Sequence, residues 1–184
     1  MTRFSLLVPR YTWFRAAVFA LLALNTGIYF ASGTLAEAID SIAWLTLLAL
    51  FQLETGAIQA IRPGPALAAV HGVRLAALAA VGAAAAGFLY NEEWLDAANS
   101  GLWIAVVVIL EIGVRRPAAV AARRALFAGA AGALYASLIA VAAVWAWRGE
   151  WFDAYDAALW LAAFATIEMN VLGAARRIPA GTAA

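Results

Sequence analysis

Three observations predict an all-helical integral membrane protein, with six transmembrane helices arranged as three tandem hairpins. The chain is 66% hydrophobic and 12% charged over 184 residues, with a mean hydropathy of +0.87, too apolar for an ordinary soluble domain. Its basic and acidic residues alternate between successive connections. Its membrane-depth glutamates, Glu54, Glu111 and Glu168, recur at a spacing of 57.

Six apolar stretches carry the reading, at 13–33, 41–61, 66–90, 97–114, 120–147 and 154–175. Each is close to the roughly 20 residues that cross a bilayer as a helix. None has the polar face at helical period that a soluble bundle requires. The first follows Arg10 and includes Arg15; it is longer than the apolar core of a signal peptide and reads as a retained span. The second follows Glu37 and Asp40 and stops at Arg62-Pro63. The third follows the basic cytoplasmic turn in which His71 is read, and passes Arg74 into the small-residue run "VGAAAAGF". The fourth, "WIAVVVILEIGVRR", stops at Arg116-Pro117. The fifth opens near Arg124 with "FAGAAGA", and the sixth closes on Arg176-Arg177 before Pro179. Proline cannot continue a helix, and cations complement a helix C-terminus, so these closures mark the ends of spans.

Charge placement sets the predicted orientation. Arg3, Arg10, Arg15, Arg62, Arg74, Arg115, Arg116, Arg123, Arg124, Arg176 and Arg177 fall on one side, with no acidic residue among them. Glu37, Asp40, Glu92, Glu93, Asp96, Glu150, Asp153 and Asp156 fall on the other, against the single Arg148. The positive-inside rule places both termini in the cytoplasm. Alanine dominates and arginine supplies every cation, which suggests a GC-rich bacterial genome; the expected location is the bacterial inner (plasma) membrane.

The repeat extends beyond the glutamates. "EWLDAANSGLW" (93–103) and "EWFDAYDAALW" (150–160) align without a gap at 57. The first copy, "EAIDSIAW" (37–44), keeps Glu37 and Asp40 at the same mutual spacing after a one-residue shift, but its Trp44 does not align with Trp103. Three repeats follow, 13–63, 66–117 and 120–179, within one transmembrane domain spanning 1–184. Two-span repeats are parallel and related by an axis along the membrane normal, so a pseudo-threefold bundle is the expected arrangement.

The three glutamates need compensation, since a carboxylate at membrane depth costs about 2–4 kcal/mol on insertion scales. Glu54 and Glu168 each precede an arginine by eight residues, about 12 Å of helix, and Glu111 precedes Arg115 by four, about 6 Å. All three therefore lie in the cytoplasmic half of the span. One reading pairs them with Arg15, Arg74 and Arg124 as structural salt bridges, and another sets them against a partner subunit or a lipid headgroup. A third makes them, with Asn170, an intramembrane polar site for protons or cations, since carboxylates bind hard cations and relay protons. Asn25, Gln52 and Ser137 add little further polar lining. The function taken forward is a small permeation or transport protein for protons or cations. The competing function is a non-catalytic subunit of a larger membrane complex, packed against partner subunits or its own copies.

The remaining features point to structure. Seven tryptophans cluster toward the acidic boundary, with Trp13 at the other, as an aromatic belt. The acids of each outer turn suit helix N-termini. Small-residue runs permit close helix packing. Cysteine is absent, which removes thiolate and disulfide chemistry. His71 is the single histidine and no metal-spaced cluster surrounds it. No nucleophile constellation or phosphate loop appears, so no enzymatic activity and no cofactor are expected. The arginines are explained by topology, so the expected partner is the lipid bilayer and not nucleic acid.

Overall fold

Each apolar stretch is helical where it is described, because backbone groups in an apolar setting must be satisfied within the segment. The computed structural model describes the backbone of residues 7–56 and 65–175, and the side chains of 13–53, 65–113, 116 and 118–165. Among the described residues the elements are α1 (Leu7–Ser32), α2 (Leu35–Gly56), α3 (Pro65–Tyr90), α4 (Trp94–Arg115), α5 (Pro117–Ala122), α6 (Arg124–Arg148) and α7 (Trp151–Ala175). All are helical, and five of them are long and apolar enough to cross a membrane: α1, α2, α3, α4 and α6.

The helices start earlier than the apolar stretches on the acidic side. α2, α4 and α7 begin at Leu35, Trp94 and Trp151, so the acids belong to their first turns. Negative charge there complements the N-terminal partial positive charge. The stretch 120–147 is divided. Pro117 starts the short α5, and the chain breaks at Arg123 before α6 resumes at Arg124.

Three tight turns connect these helices at their acidic ends. Between α1 and α2, the Thr34 hydroxyl accepts from the Glu37 backbone N–H (3.3 Å), while the Glu37 carboxylate accepts from the Thr34 N–H. This is a reciprocal capping box. Gly33 is required beside it, because a Cβ there would lie 2.7 Å from the Tyr29 carbonyl oxygen and 2.9 Å from the Glu37 carboxylate. The other two turns use a different closure. After α3, Glu93 N–H donates to the Phe88 carbonyl (2.9 Å) and Glu92 N–H to Leu89 (3.3 Å), with Glu92 at φ 62°. After α6, Glu150 N–H donates to Trp145 (2.9 Å) and Gly149 N–H to Ala146 (3.2 Å), with Gly149 at φ 83°. Both are Schellman closures, whose left-handed position favours glycine. Glu92 and Gly149 are 57 residues apart, the spacing at which 93–103 and 150–160 align.

The chain forms two compact units, 1–22 with 142–184, and 23–141. In the second, α2 and α3 form the most extensive described pairing, followed by α3 with α4. The α2–α3 pair is antiparallel, since the start of α2 meets the end of α3: Ala36 packs with Ala84 and Phe88, joined by Ile39 and Ala97 of α4. Small residues allow the approach, as a Cβ on Gly87 would lie 3.2 Å from the Ala36 Cβ. In the same unit Asn25 and Ser100 are polar and almost fully buried.

Candidate functional site

The first residue of each acid-capped helix provides a common ruler. Counted from Leu35, Trp94 and Trp151, the third residue is Glu37, Asp96 or Asp153. The sixth is Asp40, Asn99 or Asp156, and the tenth is Trp44, Trp103 or Trp160. The offset between copies is thus 59 and then 57. On this ruler Glu37, not Asp40, occupies the place of Asp96 and Asp153, and Trp44 does align with Trp103. The recurring Asx-x-x-x-Trp spacing is the sequence signal that could have shown this.

The same ruler bears on the glutamates. Glu111 and Glu168 each occupy the eighteenth position of their helix, where α2 has Gln52. Glu54 comes two residues later, about 3 Å further along and about 200° around the helix. The three remain at similar depth along their helices, but Glu54 occupies a different helix face.

A hydrogen-bonded network is built on the Asx and Trp positions of α2. Trp44 Nε1–H donates to Asp40 Oδ1 at 3.1 Å, one turn back on the same helix. Ser100 Oγ of α4 donates to the same oxygen at 3.3 Å. Ser100 is 1% exposed and Trp44 7%, so the contact fixes two helices in a region where an unpaired carboxylate oxygen would be costly. At the N-cap of α4, Glu93 Oε2, and on the helix itself, Asn99 Oδ1, are buried with no hydrogen-bond partner. In the other unit, Asp156 and Trp160 repeat the spacing and are both engaged in contacts, while Trp160 stacks obliquely on Phe164 (6.4 Å, 44°).

The tryptophans therefore divide. Trp94, Trp147, Trp151 and Trp13 are exposed at helix ends, as a belt requires, whereas Trp44, Trp103 and Trp145 are buried. Burial of an indole favours an acceptor for its N–H, which Asp40 supplies to Trp44.

Of the residues singled out from sequence, Glu54, Glu168 and Asn170 lie on α2 and α7 but outside the described side chains. Glu111 is exposed. It lines an open, largely apolar depression with Val108, Ile112 and Arg116 at the end of α4. Arg15 and Arg74 are half-buried, and Arg124 is exposed at the start of α6. Arg74 and Glu111 each take part in a polar or electrostatic contact. Ser137 is self-satisfied, its hydroxyl donating to the Ala133 carbonyl at 2.9 Å. His71, expected in a turn, sits exposed on α3. Among the described residues no three His, Cys, Asp or Glu side chains are grouped to hold a metal ion.

Compared with known protein families, curated proteins and solved structures, the chain finds no match.

Proposed function

We propose that the chain is a bacterial inner-membrane protein of six spans with both termini in the cytoplasm, which lets protons or cations cross by way of intramembrane carboxylates. Its three hairpins would surround an axis along the membrane normal, presenting Glu111 and Glu168 at one level, with Gln52 at the equivalent place and Glu54 just beyond it. The observation that carries this reading is the shared position of Glu111 and Glu168, equally far from the acid-capped starts of their helices. Two carboxylates at the same count from their helix starts, each costing a few kcal/mol in lipid, call for compensation. A proton or hard cation supplies such compensation, and a narrow path needs few other polar groups.

A second reading is favoured by Glu111 itself. Its carboxyl is exposed in an apolar depression of the 23–141 unit, a setting that another protein chain would complete. On that reading the protein is a structural subunit of a membrane assembly, with Arg15, Arg74 and Arg124 balancing the glutamates.

The test is Glu→Gln at 54, 111 and 168, followed by ion flux in liposomes and thermal stability in detergent. Transport requires flux in the parent and its loss in E111Q or E168Q with stability intact. A parent without flux, with variants that lose stability or a co-purifying partner, overturns transport and leaves the subunit reading.

A further inference from the structure

We infer that the corner where α4 meets α5 binds an anionic phospholipid, a site that rests on the membrane-spanning reading but not on permeation. The sequence "RRPAAVAARR" places arginine pairs on both flanks of the apolar α5. Arg116 closes α4, its backbone N–H donating to the Ile112 carbonyl at 2.8 Å, and Pro117 then turns the chain into α5. Arg116, Arg123 and Arg124 are all exposed. Below Arg116 opens the depression lined by Ile112, Glu111 and Val108.

These lining residues follow the anatomy of a phospholipid from headgroup to chain. The guanidinium of Arg116, lining the depression, supplies bidentate donors for a phosphate, and the exposed Arg123 at the other end of α5 adds positive charge nearby in the chain. Glu111 lies five residues deeper, about 7.5 Å along the axis, at the level of the glycerol esters. Val108, three residues deeper still, gives the acyl chain an apolar wall, and Ile112 lies between the headgroup and ester levels. Charge complementarity selects the anionic headgroup: Arg116 lines the depression, Arg123 and Arg124 are exposed beyond α5, and cytoplasmic anionic lipid attracts Lys and Arg.

Native mass spectrometry of the full chain in detergent, titrated with phosphatidylglycerol, cardiolipin or phosphatidylethanolamine, tests the site. The parent is expected to retain either anionic lipid over phosphatidylethanolamine. Preference for cardiolipin assigns a two-phosphate ligand bridging both flanks of α5, and equal retention assigns one phosphate. Each arginine is expected to contribute about fivefold, so R116Q/R123Q should weaken retention roughly 25-fold. R148Q, at the acidic end beside Glu150 (3.9 Å), should leave it unchanged. Unchanged circular dichroism and melting confirm that the double variant is folded, and added salt should release lipid from the parent. E111Q leaves the arginines in place and should keep the lipid even where flux is lost, so the two ideas fail separately. Equal retention of phosphatidylethanolamine by the parent, or full retention of anionic lipid by R116Q/R123Q, overturns the site.

Discussion

Glu92 holds a left-handed backbone conformation at φ 62° that the equivalent turn gives to glycine, Gly149. A side chain there costs about 1 kcal/mol relative to glycine. Glu92→Gly is therefore expected to raise the thermal midpoint in detergent, by an amount equivalent to about 1 kcal/mol. The first turn behaves oppositely. Gly33→Ala drives a methyl to 2.7 Å from the Tyr29 carbonyl oxygen and 2.9 Å from the Glu37 carboxylate, so it should destabilise the protein and disrupt the capping box as well, with a melting shift larger than Thr34→Ala (about 1 kcal/mol). Asp40 offers a coupled case. Trp44 and Ser100 both donate to its Oδ1, so Trp44→Phe and Ser100→Ala, each costing about 1 kcal/mol, should combine non-additively in a double-mutant cycle. Additive melting shifts would separate the two contacts.

At the scale of elements, the α2–α3 pair depends on small residues at its crossing. Gly87 faces Ala36 with no room to spare, whereas a Cβ on Gly82 meets nothing within 4 Å. Gly87→Leu should therefore push the helices apart at a cost of about 1–3 kcal/mol, while Gly82→Leu on the same helix should be near neutral. Similar melting shifts for the two would remove the close crossing. The six apolar stretches were legible because composition and length alone mark helices in lipid. The break at Arg123 was not, since "PAAVAARR" reads equally as a loop or as the start of the following span; Pro117 fixes where α5 begins but nothing in its alanines says where it ends. The starts of α2, α4 and α7 fall a few residues before the apolar stretches, with acids in their first turns, as the reading of those acids at helix N-termini expects.

For the whole molecule, the segregation of arginines from carboxylates predicts which turns face the cytoplasm. The chain lacks cysteine, so single cysteines report cleanly. Asn91→Cys, in the acidic turn after α3, should react with a membrane-impermeant maleimide in intact cells, and Ala118→Cys on α5 should react only after permeabilisation. The opposite pattern would invert the topology and remove the cytoplasmic anionic leaflet from the α4–α5 corner.

The amino-acid sequence by itself determined the helical class, the number of apolar stretches, the segregation of charge and the recurrence of one acid-capped motif, because each depends on local composition and one-dimensional spacing. It located Glu111 but left its exposure open, and it aligned the first copy on Glu37 and Asp40. The structure exposes Glu111, and counting from where each helix begins brings Trp44 level with Trp103 and Gln52 level with Glu111. Tertiary structure also decided that Ser100 meets Asp40 across 60 residues of chain. Such facts depend on which helix faces which, and a uniformly apolar helix carries no pattern that reveals its neighbour.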